Sequence, residues 1–186
     1  MVDKITITNN QLSDFYLPIY STVYSSKNAD VVVANNTVTG SFYSIYSYSY
    51  RANSVSLTNN IVDSCFYGLL SYARRGKPAT VAGILEHNIT YNMSGMRRSF
   101  EFDVIKGDPM FADPKSGDFS LNGGSPAIDA GVELYVPATD IAGRSRPSDG
   151  NNDGIAVVDL GAYELVKESD RVRVVRWREI GSEHNR

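Results

Sequence analysis

Cysteine is almost missing from this chain. Cys65 stands alone among 186 residues, so no internal disulfide can form and a disulfide-stapled secreted fold is excluded. No apolar run approaches the ~18 residues of a membrane-spanning helix. Charge of one sign is also lacking: 18 Lys+Arg stand against 21 Asp+Glu, a net of -3. A protein held to phosphates needs a cationic excess, so nucleic acid is not expected as a partner. Only two histidines occur, His87 at a repeat boundary and His184 near the end, which argues against a His-based metal or nucleophile site. The opening Met1-Val2-Asp3-Lys4-Ile5 lacks the apolar stretch of a signal peptide. At 42% hydrophobic residues, however, the chain is too apolar for disorder.

What is present is a repeat. Ile5-Thr6-Ile7-Thr8-Asn9-Asn10, Val31-Val32-Val33-Ala34-Asn35-Asn36 and Val55-Ser56-Leu57-Thr58-Asn59-Asn60 superimpose, and Ile84-Leu85-Glu86-His87-Asn88 reads as a weaker fourth copy. The second Asn then recurs at 10, 36, 60 and 88. A second element, Phe15-Tyr16, Phe42-Tyr43 and Phe66-Tyr67, leads into alternating stretches at 19–24, 45–50 and 69–74. Period-2 alternation marks strands, and no window shows a helical stripe. Turns rich in Asn, Ser and Gly separate the strands.

A repeat of this size, all strand and uneven in its turns, fits one coil of a parallel β-helix. Stacked coils would form inward apolar ladders Ile5/Val31/Val55, Ile7/Val33/Leu57 and Leu12/Val38/Val62. The second Asn of each pair would form a corner ladder whose amides bond along the stack and tolerate left-handed geometry. Asn35, the first of its pair, is expected to point outward and to matter less. A β-sandwich with Asn in its hairpin turns is the alternative. The expected fold is all-β: a short right-handed parallel β-helix of about four coils over residues 1–106, a C-terminal cap region at 107–165 and a tail at 166–186.

From residue 107 a different series begins. It runs Gly107-Asp108-Pro109-Met110-Phe111-Ala112-Asp113-Pro114, Gly117-Asp118-Phe119-Ser120-Leu121, Gly124-Ser125-Pro126-Ala127-Ile128-Asp129-Ala130-Gly131, Thr139-Asp140-Ile141-Ala142-Gly143-Arg144-Ser145-Arg146-Pro147 and Asp159-Leu160-Gly161-Ala162-Tyr163-Glu164. This order resembles the C-terminal end of bacterial right-handed parallel β-helix proteins of the pectate-lyase-like superfamily, choice-of-anchor type. The resemblance implies a β-helix, a place at the cell surface or outside the cell, and dealings with polysaccharide. The fold by itself does not settle function.

Tyrosine is over-represented, with 12 Tyr against seven Phe and one Trp. Aligning the second strand of three coils puts Ile19/Ile45/Leu69 and Ser21/Ser47/Ser71 inward. Tyr20, Tyr24, Tyr46, Tyr48, Tyr50 and Tyr72 then point outward. Stacked Tyr offers sugar rings an apolar surface and hydroxyl partners, and Arg51, Arg74, Arg75 and Lys77 in adjoining turns suit the carboxylates of an acidic polysaccharide. The same face also fits cross-strand ladders on a solvated sheet, or a protein interface. The expected function is a non-catalytic carbohydrate-binding or surface-structural module. The alternative is a polysaccharide lyase acting on uronate polymers by β-elimination, with Arg74, Arg75, Lys77, Arg97 or Arg98 as cations. Only Asp63 and Glu86 are nearby acids.

Asp149, Asn151 and Asp153, with Asp159 further on, alternate as the oxygen ligands of a Ca²⁺ loop do, although the same residues suit any tight turn. The stretch 171–178 alternates as an amphipathic strand. The first coil exposes Ile5, Ile7 and Leu12, which predicts self-association of two chains through that end.

Overall fold

A computed structural model describes residues 3–23, 29–49, 54–73, 80–87 and 102–166. Three units repeat one strand order. Each opens with β1 (Asp3–Thr8), β4 (Ala29–Ala34) or β7 (Ser54–Thr58) and turns a corner into β2 (Gln11–Ser13), β5 (Thr37–Thr39) or β8 (Ile61–Asp63). After an aromatic turn, each closes with β3 (Ile19–Val23), β6 (Ile45–Ser49) or β9 (Leu70–Ala73). A strand's partner lies a whole unit away in sequence, which is the connection length that parallel pairing needs. The three sets accordingly pair in parallel: β1-β4-β7, β2-β5-β8 and β3-β6-β9. The chain is all-β, and the 3-10 turn Pro114–Ser116 is its one helical element among the described residues. None of the helices there is long and apolar enough to cross a membrane.

The register follows the apolar pattern. Ile5, Val31 and Val55 face one another, as do Ile7, Val33 and Leu57, and Leu12, Val38 and Val62. Apart from Ile5, their side chains meet Ile19, Ile45, Leu69 and Cys65 in one cluster, so the two kinds of sheet share a core. Each fully buried aliphatic side chain contributes ~1.5–3 kcal/mol. Ser21 and Ser47 also point inward and bond Oγ to Oγ at 3.0 Å. The outermost strands of the three sets are β1, β2 and β3, where Ile5 is 39% exposed and Ile7 and Leu12 are half-buried.

Two corners shape each unit. At the first, the second Asn of each pair turns inward and bonds along the stack. Asn36 Nδ2 donates to Ile7 O, Ala34 O and Asn60 Oδ1, while its own Oδ1 accepts from Asn10 N and Nδ2. Asn60 repeats the pattern with Val33 O and Thr58 O. The left-handed residue is the first Asn, not the second: Asn9, Asn35 and Asn59 have φ of 56°, 53° and 55°. The second corner is left-handed at Asp14, Gly40 and Ser64. A Cβ on Gly40 would come 2.5 Å from Asp14 Oδ1, the end of an exposed side chain that can turn aside, and Asp14 and Ser64 hold the same φ with side chains of their own.

Three sequence expectations are corrected. β10 (Thr80–His87) pairs Val81 with Leu57 and Leu85 with Ile61, so Ile84 rather than Asn88 falls opposite Asn60. The corner dipeptide of that unit is Gly83-Ile84, and a single strand runs straight through it. Asn88 lies outside the described residues, and β11 (Phe102–Lys106) adds one more parallel strand beside β10. Phe42-Tyr43 and Phe66-Tyr67 stack in register, but the first Phe-Tyr pair is shifted by one, so Tyr16 rather than Phe15 lies beside Phe42. Finally, Asn35 does not lie free on the outside. It is fully buried, because residues 107–166 fold back across this corner.

That C-terminal segment holds each outer Asn in turn. Asn9 Nδ2 donates to Thr139 O, Asn35 Nδ2 to Asp159 O and Asn59 Nδ2 to Val132 O, with Val132 N returning a bond to Asn59 Oδ1. Gly161 N donates to Asn59 O, and a Cβ there would sit 2.6 Å from Ile61 Cδ1. Antiparallel β12 (Phe111–Asp113) and β13 (Asp118–Leu121) bring Phe111, Phe119 and Leu121 onto Ile61 and Leu160 in a second buried cluster.

The two Asn positions should respond differently to substitution. Asn36→Ala strands several buried partners and should cost about 3 kcal/mol, and Asn36→Gly no less, because φ there is not left-handed. Asn35→Gly keeps the left-handed corner and should cost about 1 kcal/mol less than Asn35→Ala, which must adopt it. Urea unfolding of the four variants checks this, and a Gly advantage at 36 instead of 35 would contradict it.

Candidate aromatic binding face

The aromatic turn sits between β2 and β3 and their equivalents, and its backbone continues the parallel pairing. Phe42 N donates to Phe15 O, Tyr43 N to Tyr16 O and Tyr67 N to Phe42 O. Rings attached at equal register must then stack. Tyr16, Phe42 and Phe66 do so with centroids 5.1 and 5.0 Å apart and planes within 6°. Tyr43 and Tyr67 form a second stack at 5.0 Å, roughly perpendicular to the first. Ring carbons touch at about 3.5 Å, so a 5 Å centroid separation means each ring slides roughly 3.6 Å past its neighbour. The stack is stepped, and part of every ring faces out: Tyr16 is 69% exposed, Phe42 39% and Phe66 40%.

On the following strand, Tyr20 lies over Tyr46 with centroids 5.3 Å apart. Thr22, Tyr48 and Tyr72 share the next register position. Tyr20 is exposed, while Tyr46 and Tyr48 are half-buried. Alternation puts these residues opposite the inward Ile45 and Ser47. The Tyr43 hydroxyl is held above the ordinary phenol range by desolvation and by the neighbouring Tyr16 and Tyr67. It therefore stays a neutral donor and acceptor at physiological pH.

Of the residues marked by sequence for sugar binding, Tyr20, Tyr46 and Tyr48 fall on this face, and Tyr72 shares their register. Tyr24, Tyr50, Arg51, Arg74, Arg75 and Lys77 lie outside the described residues, as do Arg97, Arg98 and the stretch 171–178. Tyr16, Phe42 and Phe66 were missed as a stack. Counting the 26- and 24-residue offsets forward from Tyr16 would have found them. Asp63 is buried, and its carboxylate accepts from the Thr39 and Ser64 hydroxyls.

The four residues marked for Ca²⁺ do not share one site. Asp149 accepts from Asn152, Asp153 and Gly154 N, and Asn151 and Asp153 bond to each other, as in a tight turn. Asp159 lies apart and fully buried, accepting from Asp129 N at 2.7 Å and Leu165 N at 2.6 Å. Among the described residues no three His, Cys, Asp or Glu side chains gather as a metal site.

Asp159 belongs instead to a buried charge group. Arg146 lies 3.4 Å from Glu164 and donates to Asp159 O and Gly161 O. Glu164 in turn accepts from Ser148 N and Asp159 N. Burial, then the Glu164 charge, pushes the Asp159 carboxyl up to about 7. Burial raises Glu164 as well, against the pull of Arg146. Each of these groups bonds inside the C-terminal segment, which marks the group as architectural.

No protein-family model, curated protein or solved structure matches the chain.

The raised Asp159 value carries a pH dependence. The folded state holds this proton more tightly than the unfolded state, so the stabilisation is full below about pH 3.8 and is lost as pH rises through about 7. The melting temperature should therefore fall between about pH 5 and about pH 8, and Asp159→Asn should flatten that fall. Thermal scans across this range check the sign, and a wild-type melting temperature that rises with pH would contradict it.

Proposed function

We propose that the chain is a non-catalytic carbohydrate-binding module, built as a short right-handed parallel β-helix, with the stepped aromatic face as its sugar-contacting surface. The observation that carries the reading is the exposed ring series Tyr16, Phe42 and Phe66, repeated over three units and flanked by tyrosine hydroxyls. Such a face offers stacking area together with neutral hydrogen-bonding groups, the combination that suits polyhydroxylated rings. The solenoid reading is supported by three parallel strand sets around one core. The motif series at 107–164, which resembles the end of pectate-lyase-like β-helix proteins, supports a polysaccharide ligand outside the cell. Binding is preferred to β-elimination because Asp63, a nearby acid, has its carboxylate engaged by two hydroxyls.

Affinity electrophoresis through gels carrying cellulose derivatives, mannan, chitosan, amylose or polygalacturonate tests this. The chain should be retarded in at least one gel. Tyr16→Ala/Tyr20→Ala, at two exposed positions, should keep its circular dichroism and weaken binding about tenfold, or 1.4 kcal/mol. Unretarded migration of the wild-type chain in every gel, or retardation unchanged in the double variant, would overturn the proposal.

A further inference from the structure

The spacing of the rings says more than their presence. Tyr16, Phe42 and Phe66 rise by 5.1 and 5.0 Å per step with planes within 6°, and Tyr20 to Tyr46 rises by 5.3 Å. Two neighbouring parts of the unit therefore repeat at nearly the same interval, fixed by the separation of parallel strands, although the Tyr20 and Tyr46 planes are tilted by 35°. A step of this size is the length of one pyranose unit in a fully extended, ribbon-like glycan. A bent or helical glycan advances less per sugar along its axis and turns successive rings away from a flat surface.

We infer, resting on the carbohydrate-binding reading, that this face recognises an extended polysaccharide lying along the stacking direction, one sugar for each unit of the fold. Orientation across the stack would set one sugar against one ring and leave the repeat unused. Two further features agree with the inferred direction. The rings of the stack are shingled, so the exposed part of each faces the same way and offers successive sugars an equivalent step. The edges of aromatic rings carry partial positive charge, which suits hydroxyl oxygens, and Tyr16 and Tyr43 add hydroxyls at the same level. The described rings supply shape and spacing as the means of discrimination.

Titration calorimetry with two neutral series tests this: β-(1→4)-linked oligosaccharides, which are extended, and α-(1→4)-linked oligosaccharides, which coil, each from the disaccharide to the hexasaccharide. For the extended series, affinity should climb about tenfold from disaccharide to trisaccharide as Tyr16, Phe42 and Phe66 are all covered. The coiled series should bind at least about tenfold more weakly at equal length. Phe66→Ala should abolish the gain from the third sugar while leaving disaccharide binding in place. Should that variant fail to fold, Tyr16→Ala removes another ring of the described stack with the same expected loss.

Equal affinity for the two series, or a gain from the third sugar that survives both truncations, would overturn the one-sugar-per-unit inference while leaving carbohydrate binding intact. Binding of neither series by a chain that is retarded in a polysaccharide gel would also overturn it. Binding of neither series, with no retardation in any gel, would remove the carbohydrate reading itself.

Discussion

Amide hydrogen bonds between Asn10, Asn36 and Asn60 set the register on which the remaining structure depends. An inward amide at a fully buried corner is costly unless every polar atom finds a partner. One bond of each amide stays within its own unit, and the others reach amides and carbonyls of the neighbouring units, so satisfying one Asn aligns the next unit with it. A slip of one residue would leave these groups unpaired and would also reverse the faces of Val31, Val33, Leu57 and Val38. The polar and apolar ladders are thus two expressions of one alignment. Burial supplies most of the stabilisation, and the amides select which stacking is used.

The first Asn of each pair serves a different purpose at the same corner. Its left-handed backbone makes the bend, and the side chain is thereby turned out of the unit. A free outward amide would be a solvated surface group. Here the C-terminal segment crosses the corner and takes up Asn9, Asn35 and Asn59 with its own backbone, at Thr139, Asp159 and Val132. Irregular backbone of this kind carries many unpaired N–H and C=O groups, and a row of fixed amides satisfies several of them at regular intervals. Within the segment, Arg146, Asp159 and Glu164 do the same work from the other side, each charge bonded to backbone. Two sources of polar partners therefore hold a segment that has little regular secondary structure of its own.

The aromatic face follows from the same alignment at the opposite end of the short strands. Parallel register brings ring over ring, and the strand separation imposes the 5 Å step. The contacts that stiffen the turn also leave ring edges and part of each face in solvent, so structural and binding roles are not in competition here. Ring stacking costs little exposure at Tyr16, which has one stacked neighbour among the described residues, Phe42.

The strand alternation, the all-β class, the ladder partners and the inward Asn were legible in the sequence, because parallel stacking repeats the same environment at each turn of the repeat. Where the repeat weakened, its reading failed: Gly83-Ile84 carries no Asn, so identity of residue type pointed to Asn88 while the strand pairing kept a constant offset of 24. The first Phe-Tyr dipeptide misled for a related reason, since Phe15-Tyr16 matches the later two in composition but sits one residue away from their register. Asp14, Gly40 and Ser64 escaped notice because three different residues share one backbone conformation. What tertiary structure alone decided is the environment of outward positions. Sequence period separates inside from outside within a unit, but only the path of residues 107–166 determines that Asn35 is buried and that Asp159 joins Arg146 and Glu164. The burial of Asn35 depends on contacts between residues more than 70 positions apart, and Asp159 meets Arg146 and Glu164 along irregular backbone, and neither arrangement leaves a periodic signal in the sequence.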